Sequence, residues 1–338
     1  MFIVIEGTDA SGKSSLVEEI KKQLANKYPG KQITEYHKGR PLEETRAWVL
    51  NEYAISIERT NWASSIAVAD RWHWGEVTYA PLKREHTCKD PYGLLGRAGW
   101  RWTELFMSSR GMAQFWLYQP LDVIKARLAL RGDDFVTGDE LDTIINLYKN
   151  AASYTLGLAG TLIPDPDSES MIPLLAQHVI AEAEKVQDSV KGLLDYPEYI
   201  GSPKPKVLLV GDRRGGKKPP TILPFMPVNS NSGEFLMQCL PEHLWRNVGI
   251  INIADVNGDR LRSLRSVLGD PKIVALGRLA EQGLRDSAVD RSDYEVVAHP
   301  QYVRRFHHLD CARYGEAIDR LSFNTDKSER MNDPWILR

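Results

Sequence analysis

Short runs of apolar residues recur along the chain, and between them lie longer stretches in which apolar residues return every three or four positions. The short runs fall at 2–5, 32–37, 63–69, 114–118 and 160–164, then again at 207–210, 248–253, 273–276 and 294–297. Runs of this length separated by helical patterns predict the strands of parallel sheets joined by crossover helices. Helical spacing is plain in Ser15-Leu-Val-Glu-Glu-Ile-Lys-Lys-Gln-Leu24 and returns over 43–58, 121–131, 172–194, 232–240 and 258–268. Between the two series, residues 195–206 carry three prolines and one glycine. A stretch of that composition is stiff and polar, and predicts a boundary.

The pattern therefore predicts an α/β chain in two parts: a first domain over 1–194, a linker over 195–206, and a second domain over 207–321. The second reads as a three-layer α/β domain on a four-stranded parallel sheet, followed by a polar tail, 322–338, that docks through Trp335-Ile-Leu. A length of 338 residues also favours two domains over one.

Charge and cysteine content narrow the classes. Lysine and arginine number 43 against 45 acidic residues, a formal net charge of −2. That balance argues against a protein that coats nucleic acid or anionic membrane through bulk charge, and leaves only local basic patches. Cys88, Cys239 and Cys311 are far apart and odd in number, which predicts neither a disulfide framework nor a zinc site and suits a reducing, cytoplasmic compartment. The first apolar run is interrupted by Glu6 and lacks a basic start, so it predicts a core strand rather than a signal peptide. No segment approaches the roughly 18 unbroken apolar residues of a membrane span.

Chemistry enters where the first run ends. Gly7-Thr-Asp-Ala-Ser-Gly12-Lys13-Ser14 has the spacing of a complete phosphate-binding loop, with Ser15 opening the helix behind it. Glycines let backbone N–H groups crowd around phosphate oxygens at a helix N-terminus, where the peptide dipoles also favour negative charge. Lys13 is expected to reach the β- and γ-phosphates, and Ser14 to ligate Mg²⁺. The third run delivers Asp70-Arg71-Trp72 at its carboxyl end, the end at which parallel sheets bind ligands. Arg127 and Arg131, four apart, share a helix face ahead of Gly132-Asp-Asp-Phe-Val-Thr-Gly138, which can bend as a lid. A lid cation would stabilise the charge spread over the transferred phosphoryl group, and Arg131 is the expected one, with Arg127 near the nucleotide. Gly93-Leu-Leu-Gly-Arg97-Ala-Gly-Trp100-Arg101-Trp102 mixes arginines with aromatics, which suits either stacking on a base or packing in a core.

The segments EGTDASGKSS, ADRWHWGEVTYA and RLALRGDDFVTGDELDTIINLYKNAA together resemble the thymidylate kinase family, in order and at similar separations, over residues 1–190. The resemblance implies a P-loop kinase with a five-stranded parallel sheet, ATP on the phosphate loop and a nucleotide acceptor facing it. By position, Asp9 would touch the acceptor, Asp70 would support Mg²⁺ through water, and Arg71 would hold the acceptor phosphate. It also implies a homodimer formed through helices. The turn at 38–41 lacks the family's arginine-glutamate-proline-glycine-glycine signature, and Trp72 replaces a smaller ring, so the acceptor side departs from the pattern.

In the second half each run hands off to a polar segment: Gly211-Asp212-Arg213-Arg214-Gly215-Gly-Lys217-Lys218, then Asn252, then Gly277-Arg278, then His299-Pro300. Strand ends that converge make pockets. With PFMPVNSNSGEFL, ALGRLA and AHPQYVRRF, this half is similar to the uracil-DNA glycosylase superfamily over residues 204–310. That resemblance implies roles for Asp212 (positioning water), Phe225 (stacking on a base), Asn252 (reading its edge) and His299 (supporting the departing base). The cations of 213–218 and of Arg304, Arg305, His307 and His308 suit phosphate contacts instead, and point to binding rather than base excision.

The function expected is ATP- and Mg²⁺-dependent phosphorylation of a thymidine-like deoxynucleotide. One alternative acceptor is a hydroxymethylated pyrimidine in DNA held by the second domain. Another reading is a nucleotide-sensing DNA-binding protein without turnover.

Overall fold

A computed structural model of the chain describes residues 1–39, 42–58, 64–84, 90–131, 136–163, 171–212, 223–227, 231–323 and 333–337. Contacts divide it into two units, one comprising Met1–Gly96 and Gly111–Ser189, the other Arg97–Arg110 and Val190–Arg338.

The first unit contains β1 (Phe2–Glu6), α1 (Lys13–Lys27), β2 (Gln32–His37), α2 (Arg46–Glu58), β3 (Ser65–Asp70), α3 (Trp74–Thr78) and α4 (Ala80–Lys83). After α5 (Gly96–Ser109), it resumes with β4 (Met112–Leu117), α6 (Leu121–Arg131), α7 (Leu141–Tyr154), β5 (Leu158–Leu162) and α8 (Ile172–Ser189). Its five strands run parallel in the order β2-β3-β1-β4-β5. The central strand β1 is wholly apolar up to Glu6 because both faces of the sheet are covered. On one face Leu16, Val17, Ile20 and Leu24 of α1 pack with Ala176, Val179, Ile180 and Ala183 of α8, as their helical spacing requires. Ile5 stands opposite Asp70 in the β1–β3 ladder, so the loop after β1 and the turn after β3 leave the sheet side by side. That register assembles the site.

The second unit contains β6 (Ile200–Gly201), β7 (Val207–Gly211), α9 (Asn231–Cys239), α10 (Glu242–Trp245), β8 (Val248–Asn252) and α11 (Gly258–Val267). It continues with β9 (Lys272–Leu276), α12 (Arg278–Asp286), β10 (Tyr294–Val297), α13 (Pro300–Phe306) and α14 (Cys311–Phe323). The sheet order is β10-β9-β7-β8-β6. The four predicted strands are parallel; a fifth, β6, adds antiparallel to β8 with Ile200 opposite Ile250. Two residues are too few for a periodicity signal.

Three expectations change. Residues 195–206 are not a free linker: Tyr196, Tyr199 and Ile200 are buried in the second unit, where Tyr199 takes the space that a side chain on Gly249 would need. Cys239 and Cys311, 72 residues apart, form a disulfide, because the fold brings the end of α9 to the start of α14. Counting three cysteines hid a pair plus one, and Cys88 lies outside the described residues. The aromatic-arginine stretch is core, since Trp100, Arg101 and Trp102 are all buried and α5 belongs with the second unit. Trp102 donates its indole N–H to the Pro224 carbonyl at 3.0 Å, and Arg101 donates to Met237 O (2.8 Å), Leu240 O (2.6 Å) and Glu242 Oε2 (2.9 Å). A base-stacking role is thereby ruled out for both tryptophans. Residues 335–337 of the tail lie antiparallel beside the end of β10, with Ala298 N donating to Trp335 O and Leu337 N to Val296 O. No helix among the described residues is long and apolar enough to cross a membrane.

Candidate functional site

The loop between β1 and α1 has the conformation that its glycines permit. Gly12 is left-handed (φ 95°) at the N-terminus of α1, and Ala10 (φ 57°) shares that region. At Gly7 a Cβ would lie 2.6 Å from the Leu117 carbonyl oxygen, so only glycine lets β1 leave the sheet here. Lys13 is buried and donates from Nζ to Thr8 O at 2.5 Å. Burial lowers its ammonium to about 8, with Arg71 adding to the effect and Asp70, Asp9 and Glu6 opposing it.

Ser14 and Asp70 come together as the sequence predicts, with Ser14 Oγ donating to Asp70 Oδ2 at 3.2 Å. Asp70 Oδ1 is buried without a protein partner. A hydroxyl beside a carboxylate with a spare oxygen is a hard-donor set that fits Mg²⁺, whose remaining ligands would be phosphate oxygens and water. His37 Nδ1 stands 3.7 Å from Asp70 Oδ2, a neighbour that sequence reasoning missed.

Across the loop, Arg71 donates to Asp9 Oδ1, Tyr79 donates to Asp9 Oδ2 at 3.1 Å, and the Arg71 guanidinium lies 5.2 Å from the Tyr79 ring centre. Arg71 itself is left-handed (φ 67°), an unusual state for a long side chain. It lines a cavity of about 210 Å³ together with Lys38, Tyr53, Trp72, Glu76, Tyr79 and Arg84, among others. Trp72 forms the apolar wall, held edge-on by Phe2 and Tyr36 and covered by the Lys38 ammonium at 5.0 Å. At the far side Arg84 Nη2 donates to Glu76 Oε2 at 2.9 Å. Tyr79, Glu76 and Arg84 lie within or just after the ADRWHWGEVTYA stretch, but only the fold of α3 and α4 turns them towards the cavity.

The two candidate cations of α6 separate. Arg127 donates from Nη1 to Ala10 O at 3.3 Å, against the phosphate loop. Arg131 is exposed at the end of α6, and residues 132–135 of the expected lid lie outside the described residues. Trp62, Arg40 and Pro41 lie outside them too.

Glu6, the last residue of β1, is fully buried and accepts from Trp72 N (2.8 Å) and Trp74 N (3.2 Å). Burial pushes its carboxyl up to about 8, against the pull of those two amides and of Arg71 and Lys13. Folded Glu6 thus keeps a proton that the unfolded chain releases near its ordinary 4.5. The stabilisation is complete below pH 4.5 and lost as pH rises through about 8. Urea titrations of wild type and Glu6→Gln should therefore diverge with rising pH across that window, the wild type losing stability that the amide variant keeps; parallel curves would show that Glu6 ionises normally.

In the second unit the four singled-out residues form two neighbouring pairs. His299 Nε2 lies 3.7 Å from Asp212 Oδ1, and burial holds its imidazole below the usual value while Asp212 pulls the other way. A Cβ on Gly211 would fall 2.5 Å from the Phe225 ring and 2.7 Å from Asn252 Oδ1, so Gly211 is where ring and amide meet. Asn252 is buried, its Nδ2 3.4 Å from Asp255 Oδ2 and its Oδ1 without a partner. Phe225 holds a left-handed backbone (φ 50°) with Gly233 packed against its carbonyl. Residues 213–218, the basic segment, lie outside the described residues.

The chain is 26% identical over 151 residues to the SPbeta prophage-derived uncharacterized protein YorR of Bacillus subtilis (strain 168), a match spanning 45% of this chain and 81% of that protein. A crystal structure of YorR in complex with phosphorylated GDP is similar at 23% identity and a TM-score of 0.42, over 54% of this chain and 96% of its own. Thymidylate kinase from Ehrlichia chaffeensis is similar at 14% identity and a TM-score of 0.34, over 54% and 97%. Deoxyadenosine kinase from M. mycoides, solved with dCMP and dCDP, is similar at 13% identity and a TM-score of 0.31, over 57% and 100%. No protein-family model matches the chain. The chain is an α/β protein whose first sheet is five-stranded and all-parallel, and a thymidylate kinase and a deoxyadenosine kinase are among the solved structures to which about half of it is similar.

Proposed function

We propose that the chain is an ATP- and Mg²⁺-dependent phosphotransferase whose acceptor is a thymidine-like deoxynucleotide. The observation that carries this reading is the Asp9–Arg71 ion pair, which joins the phosphate loop to the wall of the adjoining cavity. A donor triphosphate lying along the loop and an acceptor phosphate on Arg71 would then meet at one place. Mg²⁺, held by Ser14 and more distantly by Asp70, would neutralise charge on the β- and γ-phosphates. Lys13 would hold the same oxygens as an acceptor oxygen bonds to the γ-phosphorus and its bond to the β–γ bridging oxygen breaks, leaving ADP. Lys38 and Arg71 line the cavity and bring positive charge to it, with the Tyr79 ring beside the Arg71 guanidinium.

The place of Arg127 against Ala10 supports a role for it at the donor phosphates. Arg127→Ala should weaken ATP binding about tenfold, the size expected for one charge-assisted contact, as read by titration calorimetry. Arg131→Ala should instead lower kcat with little change in ATP affinity. An unchanged rate would move the lid role elsewhere.

A second reading keeps the chemistry and places the acceptor in DNA. It is motivated by two pairs in the second unit, Asp212 with His299 and Phe225 with Asn252 about Gly211, residue types that could hold a base taken out of a duplex. In that case the acceptor oxygen would be the hydroxyl of a hydroxymethylated pyrimidine such as 5-hydroxymethyluracil. One experiment separates the readings: γ-labelled ATP offered first with dTMP and then with DNA containing 5-hydroxymethyluracil. Label on dTMP supports the first and label on DNA the second. Transfer to neither, with ATP still bound, leaves a nucleotide sensor.

A further inference from the structure

We propose that Glu6 is a positioning residue for the acceptor side of the site, its Oε1 fixing the turn that presents Arg71 by accepting from the backbone N–H groups of both Trp72 and Trp74. The inference rests on the reading of Arg71 as the acceptor-phosphate ligand.

The β1–β3 ladder ends at Arg71, whose N–H donates to Ile5 O at 3.0 Å. Beyond that point the chain turns away from the sheet, and β1 can no longer supply backbone acceptors. The side chain of Glu6, next in sequence, takes over: it accepts from Trp72 at 2.8 Å and from Trp74 at 3.2 Å. Trp74 opens α3, and His73 before it makes no side-chain cap, so Glu6 caps that helix from another strand. Arg71 sits between the ladder and this clamp in a left-handed conformation (φ 67°), which other contacts must over-determine to persist. With the turn so held, the guanidinium reaches Asp9 and the cavity; with it released, Arg71 would relax to an ordinary backbone state and swing its side chain away.

The clamp needs an acceptor oxygen rather than a charge. Burial favours the neutral carboxyl here, so the amide of glutamine is its close mimic. Aspartate keeps the acid but is one methylene short of both amides.

The test uses the full chain and reads KM for the accepted substrate, Kd for ATP, and hydrogen exchange at the Trp72 and Trp74 amides. Glu6→Gln should keep KM within about twofold of wild type and preserve both protected amides. Glu6→Asp should raise acceptor KM tenfold or more and speed exchange at both amides, with ATP Kd unchanged. Adding Glu6→Asp to Arg71→Ala should raise KM no further, since the two act as one unit. Wild-type KM and slow exchange in Glu6→Asp, or a glutamine variant as impaired as the aspartate one, would overturn the proposal. Should the wild type phosphorylate no acceptor, the functional reading is what has failed, and the exchange rates still report whether Glu6 holds the turn.

Discussion

Lys13→Ala is expected to lower phosphoryl transfer by about 10²–10³-fold, the loss typical of removing one preorganised donor from a developing anionic transition state. The same change should leave the fold intact. In the free protein Lys13 is a buried ammonium whose solvation has been stripped and whose charge is repelled by Arg71, so its truncation removes an unfavourable burial. Activity and stability should therefore separate: turnover collapses while the urea midpoint holds or rises. ATP affinity should fall as well, because Lys13 would touch the phosphates before and during transfer. Steady-state kinetics with labelled ATP, alongside urea denaturation, measure both. Transfer at the wild-type rate would show that phosphates do not lie along this loop.

Arg101→Ala is expected to destabilise the second unit by about 2–4 kcal/mol, from the usual cost of leaving buried acceptors of a charged donor unpaired. Arg101 is 2% exposed, and its guanidinium satisfies Met237 O and Leu240 O where α9 ends, then reaches Glu242 on α10. A cation at a helix C-terminus also meets the negative end of the dipole. Its stacking beside Trp245, 5.4 Å from the ring centre, adds contact that alanine cannot replace. Arg101→Lys should recover only part of the loss, since an ammonium lacks the planar fork that serves three acceptors at once. Thermal or urea unfolding, read from probes in the second unit, decides the matter. A loss under about 0.5 kcal/mol would mean that the arginine behaves as a surface cation.

Elements with a strong period and a contiguous motif are legible in the amino-acid sequence itself. The strands β1, β3, β4, β7, β8, β9 and β10 announce themselves as short apolar runs because each is buried on both faces, and the phosphate loop is eight consecutive residues whose glycines have one common use. Gly12, Lys13 and Ser14 stand out with their local geometry already implied, whereas the need for glycine at position 7 also comes from the distant Leu117 carbonyl. The meeting of Ser14 with Asp70 is also within reach, since adjacent parallel strands deliver their carboxyl ends to one place.

What escapes the one-dimensional pattern depends on partners far away in the chain. Glu6 looks like an interruption in an apolar strand, and its purpose lies in amides 66 and 68 residues later. Arg101 and Trp102 look like a nucleotide platform, and become core because α9 and Pro224 are folded over them. Arg127 and Arg131 are equivalent by helical spacing, yet one donates to the phosphate loop and the other is exposed to water. Composition and periodicity report whether a residue wants to be buried or bonded; a hydrogen bond, a disulfide or a cavity wall needs a second group at a set distance and angle, and that group's place is known only after the chain has folded back on itself.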